Sequence, residues 1–142
     1  WVKKKKAWAQ NMMGQMYDRG EGVKQSYEMA RMLYELAEQQ GDVSAMCSLG
    51  FMYSHGVGVE QSYERSKEYY EQAADLGHAS AQYYLGLFYC NSLGVERDLT
   101  KARELWTASA AQGFETAIEN LKILEMKMKK KMTKTTATKN TK

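Results

Sequence analysis

The 142-residue chain contains no proline, only two cysteines and only two histidines. The absence of proline excludes polyproline segments and removes the residue that most often interrupts helices. No apolar run approaches the roughly 20 residues that a membrane-spanning helix requires, so we expect no membrane association. The opening Trp-Val-Lys-Lys-Lys-Lys is not followed by the apolar core of a secretory signal. Because position 1 is not methionine, we expect the sequence to be a segment of a longer protein.

Glycine, in contrast, is placed with great regularity. All eleven glycines recur on a grid with a period of 36 residues: Gly14, Gly50 and Gly86; Gly22, Gly58 and Gly94; Gly41, Gly77 and Gly113; Gly20 and Gly56. Alanine and tyrosine keep the same period, at Ala9, Ala45, Ala81 and Ala117 and at Tyr17, Tyr53 and Tyr89. A fixed period of this size predicts stacked copies of one supersecondary unit.

Each repeat is predicted to be a pair of α-helices. In repeat two, apolar residues at helical spacing run from Ser44 to about His55, and Gly56 is placed to end that helix with a positive φ. Ser62 is a predicted N-cap for a second helix that continues to Gly77, and Ser26 and Asp98 hold the equivalent positions. Gly50 leaves space for a close helix approach. The fold class is therefore all-α, built from αα-hairpins.

Three full repeats are predicted, at about 8–43, 44–79 and 80–115, followed by a capping helix at 116–126. In the cap, Lys122 and Glu125 replace the glycine and tyrosine of the grid, as suits a polar terminal helix. Residues 127–142 lose the period and are expected to form a basic, disordered tail. Repeat three has Ser92 where the other repeats have glycine, so we expect a less regular turn there.

The pattern Ala-x-x-x-Leu-Gly-x-x-Tyr-x-x-Gly-x-Gly-Val, from Ala45 to Val59, resembles the Sel1-like repeat, a longer relative of the tetratricopeptide (TPR) repeat. Residues 8–121 carry the resemblance. It implies a right-handed α-solenoid, a TPR-like superhelix, that acts as an adaptor or scaffold for a protein or peptide partner. No catalysis, cofactor or small-molecule substrate is expected.

In TPR-like solenoids the first helix of each pair lines the concave face. Carrying that phase over predicts a groove for a partner segment whose aromatic residues supply most of the affinity. The predicted partner-binding residues are Trp8, Asn11, Gln15, Cys47, Phe51, Tyr83 and Leu87. The alternative interpretation is that these aromatic side chains pack against neighbouring helices.

The cysteines and histidines do not form the spacing of a metal site. Cys47 and Cys90 are 43 residues apart, and on adjacent first helices this offset is too large for a disulfide. We therefore expect free thiols and a reducing compartment, the cytoplasm or nucleus. No Ser/His/Asp or Cys/His constellation points to an enzyme.

Charge is distributed unevenly. Residues 7–126 hold nine Lys/Arg and 17 Asp/Glu, whereas 3–6 and 127–142 hold eleven lysines and no acid. Two alternatives stay open. The lysines could bind acidic protein partners, with nucleic acid an improbable target because the body is acidic and no aromatic residue interleaves the tail lysines. The repeats could instead recruit substrates within a larger enzyme, such as a ubiquitin ligase.

Overall fold

A computed structural model describes residues 2–141, and within that range the chain is all-helical with no strand. The seven helices are α1 (Val2–Arg19), α2 (Tyr27–Gln39), α3 (Val43–His55), α4 (Tyr63–Asp75), α5 (Ala79–Asn91), α6 (Leu99–Ala110) and α7 (Glu115–Asn140). Each helix packs on the next one in the chain, so that three hairpins stack in sequence order. The predicted all-α solenoid of helix pairs is confirmed.

The second helices begin where the sequence predicts. The side chains of Ser26, Ser62 and Asp98 each accept a hydrogen bond from the backbone N–H three residues later, at 3.2, 3.2 and 3.0 Å. These bonds satisfy one of the donors that the first turn of a helix leaves unpaired.

The grid glycines of the first helices allow aromatic rings of the second helices to approach. A Cβ atom built at Gly50 would lie 2.7 Å from the ring of Tyr70, and one at Gly14 would lie 2.7 Å from the ring of Tyr34. The hydroxyl of Ser66 donates a 2.6 Å hydrogen bond to the carbonyl oxygen of Gly50. At Gly50 the predicted close helix approach is therefore made by two residues of α4, the buried Tyr70 and the small Ser66.

The core lies between repeats as well as within them. Ala30, Tyr34 and Ala37 of α2 pack with residues of α3, the first helix of the next repeat. Tyr70 and Ala73 of α4 pack in the same way with residues of α5. The buried partners on the following helices are Ala45, Leu49 and Met52 on α3, and Ala81, Leu85 and Phe88 on α5. Each hairpin thus buries its second helix against the hairpin that follows it.

The turn of repeat three is as regular as the others, so the expectation for Ser92 was wrong. Ser92 has φ 56° and ψ 41°, close to the 65° and 40° of Gly56. The next residue closes the turn identically in both repeats, with Val57 N–H to Met52 O and Leu93 N–H to Phe88 O both at 2.9 Å. Packing of the repeat holds serine in a conformation that favours glycine.

The C-terminal segment differs from the disordered tail expected at 127–142. α7 does not end at Met126 but continues to Asn140. Neither glycine nor proline follows Gly113 to end a helix, and lysine, methionine and alanine favour helical backbone. Threonine hydroxyls add hydrogen bonds to carbonyl groups four residues earlier, such as Thr135 to Lys131 at 2.8 Å. The lysines are therefore displayed along a helix, and Lys142 lies outside the described residues.

Candidate protein-interaction surface

Phe51 is the most exposed aromatic side chain of α3, with 41% of its surface accessible. Its ring stacks on the ring of His55, one turn later, with centroids 4.1 Å apart and planes 23° from parallel. His55 Nδ1 lies 3.1 Å from the carbonyl oxygen of Phe51 and 2.8 Å from the hydroxyl of Ser54. These contacts hold an aromatic pair on the surface of the first helix of repeat two.

Leu87 lies beside this pair. A hollow of about 360 Å³ between α3 and α5 is lined by His55, Leu87 and Asn91, with Tyr84 and Phe88 forming apolar parts of its wall. The hollow places Leu87 close to His55 and so extends the apolar surface from repeat two to repeat three. Phe51, His55 and Leu87 together form what we call the central patch.

Tyr83 and Cys47 occupy more enclosed positions. The ring of Tyr83 lies 5.2 Å from that of Phe114, and its hydroxyl is 3.5 Å from the side-chain amide of Asn120. Cys47 is half-buried against the cluster around Tyr70, and burial raises the pKa of its thiol to about 12. A thiol with such a pKa is almost entirely neutral at pH 7 and is a poor nucleophile. Both side chains support the fold around the central patch.

In repeat one, the predicted residues separate into different environments. Trp8 is 61% exposed and Gln15 is half-buried, both on α1. Asn11 is only 4% exposed, and its Oδ1 has no hydrogen-bond partner among residues 2–141. The surface position expected for Asn11 was wrong, because its side chain points into the hairpin. Leu87 thus lies near His55, the stacking partner of Phe51, whereas Trp8 and Gln15 lie on α1.

The partner-binding residues predicted from the sequence do not include His55, which lies at the end of α3. The sequence does predict this pairing, because Phe51 and His55 are four residues apart and so share a helix face. Ser54, the residue before His55, is buried. The exposed side chains of α3 are Ser44, Phe51 and His55, which lie on one helix face.

We also searched the described residues for metal ligands, paired cysteines and membrane-spanning helices. Within 2–141, no three His, Cys, Asp or Glu side chains gather as ligands for a metal ion. Cys47 and Cys90 are both free cysteines in the structure. None of the described helices is long and apolar enough to cross a membrane.

Comparison with known protein families shows one repeat family that matches three consecutive segments of the chain. The Sel1 repeat profile matches residues 9–42, 43–78 and 79–114, within one residue of the predicted repeat boundaries. No curated protein matches the chain.

Two solved structures share the arrangement of helices. One is a protective antigen of uropathogenic Escherichia coli strains with an SLR fold; it is 39% identical over 79% of this chain, with a TM-score of 0.74. The other is a Sel1 repeat protein from Oxalobacter formigenes, 29% identical over 83% of this chain, with a TM-score of 0.79. The chain spans 24% and 47% of the lengths of these two proteins.

Proposed function

The chain belongs to the Sel1 repeat family, whose repeats generally mediate protein–protein interaction, and on that premise we propose that it is a non-catalytic interaction module. The partner is a protein or peptide segment that lies along the first helices and contacts the central patch. The rigid stack of hairpins presents this patch without having to reorganise, which lowers the entropic cost of binding.

The observation that carries the proposal is the exposure of Phe51 next to Leu87. Grid positions on α3, such as Leu49, are completely buried by α2, whereas Phe51 keeps 41% of its surface accessible while stacked on His55. An aromatic side chain held rigidly at a surface is typical of the residues that dominate binding energy in interfaces. The adjoining hollow offers space for an apolar side chain of the partner.

The test compares cell-extract partners of the wild-type chain with those of a Phe51→Glu/Leu87→Glu variant, identified by mass spectrometry. A matched control is Leu76→Glu, which charges a leucine that is 61% exposed in the turn after α4, away from the central patch. We expect a discrete partner to be retained by wild type and control and to lose about tenfold or more in affinity with the double variant. Equal retention by all three proteins contradicts the proposal.

A further inference from the structure

A second surface lies one repeat beyond the central patch, between the start of α6 and the long helix α7, with Cys90 of α5 at its edge. Two adjoining cavities of about 250 and 560 Å³ share Leu99, Met128 and Lys131, and so form one continuous trough. Ile123 and Leu124 extend its apolar floor, and we call this feature the C-terminal trough. It is separate from the central patch around Phe51.

The rim of the C-terminal trough is cationic. Arg97, Lys127 and Lys131 line it, Lys139 lies at its far end, and no aspartate or glutamate belongs to its lining. None of these four cations makes a salt bridge within residues 2–141. Asp98 follows Arg97 in the chain, but its carboxylate accepts the backbone N–H of Lys101 as the helix cap. The trough therefore offers cations that form no salt bridge within residues 2–141, beside an apolar floor.

The 36-residue grid supplies an internal comparison for this charge. Arg97 and Lys127 correspond to Gln61 and Asn91, which line the neutral hollow one repeat earlier. The side-chain amide of Gln61 donates a 2.8 Å hydrogen bond to the carbonyl oxygen of Ser54. Gln25, the equivalent of Gln61 in repeat one, donates in the same way to the carbonyl oxygen of Asp18 at 2.8 Å.

Arg97 does not reproduce this bond with Cys90, the residue equivalent to Ser54, and its guanidinium makes no hydrogen bond within 2–141. Gln25 and Gln61 thus bond to the end of the preceding helix, whereas the guanidinium N–H groups of Arg97 stay available for a ligand.

The trough is also less aromatic than its counterpart. In the earlier hollow, the rings of Tyr84 and Phe88 pack around Tyr70 with centroids 5.3 and 5.5 Å away, and Tyr63 packs on Phe88 at 5.8 Å. One period later, the positions of these three rings hold smaller side chains: Leu99, Asn120 and Leu124. Three aromatic rings are thus replaced by aliphatic or small polar groups, so the floor of the trough is mainly aliphatic.

From these features we propose that the C-terminal trough binds an acidic peptide segment that carries a bulky apolar side chain. Guanidinium and ammonium groups recognise carboxylates through charge-assisted hydrogen bonds, and the aliphatic floor would bury the apolar side chain. The stretch of α7 from Asn120 to Asn140 is about 30 Å long, which matches about nine residues of extended chain.

Nucleic acid fits the trough less well. The ring of Trp106 is 3% exposed and its N–H already donates to the carbonyl oxygen of Tyr83 at 3.0 Å. The lining therefore presents no accessible aromatic face on which a base could stack. The acidic body of residues 7–126 would also repel a polyanion that extends beyond the trough.

The test is fluorescence anisotropy with the 142-residue chain and a labelled acidic peptide of about nine residues that contains one phenylalanine. An Arg97→Gln/Lys127→Asn variant restores the residues found one repeat earlier, and we expect it to weaken binding about tenfold or more. A Leu99→Tyr/Asn120→Tyr variant refills the trough without changing charge and is expected to weaken binding to a similar degree. Circular dichroism melts verify that both variants fold.

The matched control is Lys129→Asn/Lys130→Gln, which removes two charges from exposed positions of α7 outside the trough. It is expected to change affinity by about twofold or less, as for screened surface charge. An equal loss in the control, or unchanged binding by the refilled variant, overturns the proposal. Tighter binding of a single-stranded oligonucleotide of equal charge also overturns it. Because the peptide assay leaves Phe51 and Leu87 untouched, its outcome is independent of the proposed function.

Discussion

α1 and α3 are the first helices of neighbouring repeats and carry similar residues at equivalent positions, yet they differ in burial. Leu49 and Met52 of α3 are 0% and 1% exposed, while their equivalents on α1, Met13 and Met16, are 48% and 39% exposed. The covering element on α3 is α2, the second helix of the preceding repeat. Among the described residues, α1 has no helix before it to play that part.

The comparison shows that grid position and burial are separate properties. The grid sets backbone geometry and the partner within a hairpin, so Gly14 and Gly50 receive tyrosine rings at the same distance. Burial of the opposite face depends on the neighbouring repeat, as expected for a structure whose stability is a sum of repeat and interface terms. Equivalent residues in different repeats should therefore contribute unequally to the free energy of unfolding.

The largest expected effect comes from comparing alanine substitutions at two equivalent positions of α1 and α3. Leu49→Ala should lower the free energy of unfolding by about 2–5 kcal/mol, because it leaves a cavity at a fully enclosed site. Met13→Ala, at the equivalent position, should cost about 1 kcal/mol or less, because nearly half of its side chain already contacts water. Urea denaturation followed by circular dichroism measures both values. Equal costs would show that the face of α1 is covered in solution, and sedimentation would reveal whether a second copy covers it.

Much of this fold could be predicted from the sequence because the repeat presents each signal three times. The caps at Ser26, Ser62 and Asp98 and the space above Gly50 follow from residue type and position alone, and the structure confirms them. The extent of α7 could not be predicted from periodicity. Its continuation beyond Met126 depends on the absence of glycine and proline and on the helix propensity of lysine and methionine, which have no 36-residue period.

The surfaces were less predictable than the fold. His55 belongs to the exposed face of α3 beside Phe51, although the predicted partner-binding residues did not include it. Asn11 was placed on the surface but points inward, and a polar residue type gives no warning of that. The cationic rim at Arg97 could have been found from the sequence by comparing Arg97 with Gln61 and Gln25. The trough itself depends on the continuation of α7, which periodicity does not predict.

A smaller effect on stability is expected from the N-cap of α5, which differs from that of α3. Asp42 caps α3, whereas the equivalent His78 caps α5 by accepting the N–H of Ala81 at Nδ1, 3.3 Å away. Burial lowers the pKa of His78, with the nearby Asp42 opposing that shift. The folded state therefore binds the proton less readily than the unfolded chain, and protonation removes the acceptor. The stabilisation is present above the unfolded pKa of about 6.5 and is lost as pH falls through the lower folded pKa.

We expect the loss to be about 1 kcal/mol, the usual contribution of an N-cap. The control is His78→Asn, which keeps a good cap but does not titrate. Urea denaturation between pH 7 and pH 5 should show a steeper decline for wild type than for the variant. Parallel curves would mean that His78 does not contribute to the acid sensitivity.

The smallest effect concerns the turn after α5, where Ser92 adopts the left-handed conformation that Gly56 adopts after α3. Ser92→Gly relieves a conformational cost of roughly 1 kcal/mol but adds flexibility to the unfolded chain, so we expect a net stabilisation of about 0.5 kcal/mol or less. The reverse change, Gly56→Ser, should destabilise by about 1 kcal/mol, because it adds that backbone strain and its Cβ would also meet the Cβ of Gln61 at 3.3 Å. Paired urea denaturation curves measure both changes. If Ser92→Gly is destabilising instead, the serine hydroxyl must contribute to the turn, although it makes no hydrogen bond within residues 2–141.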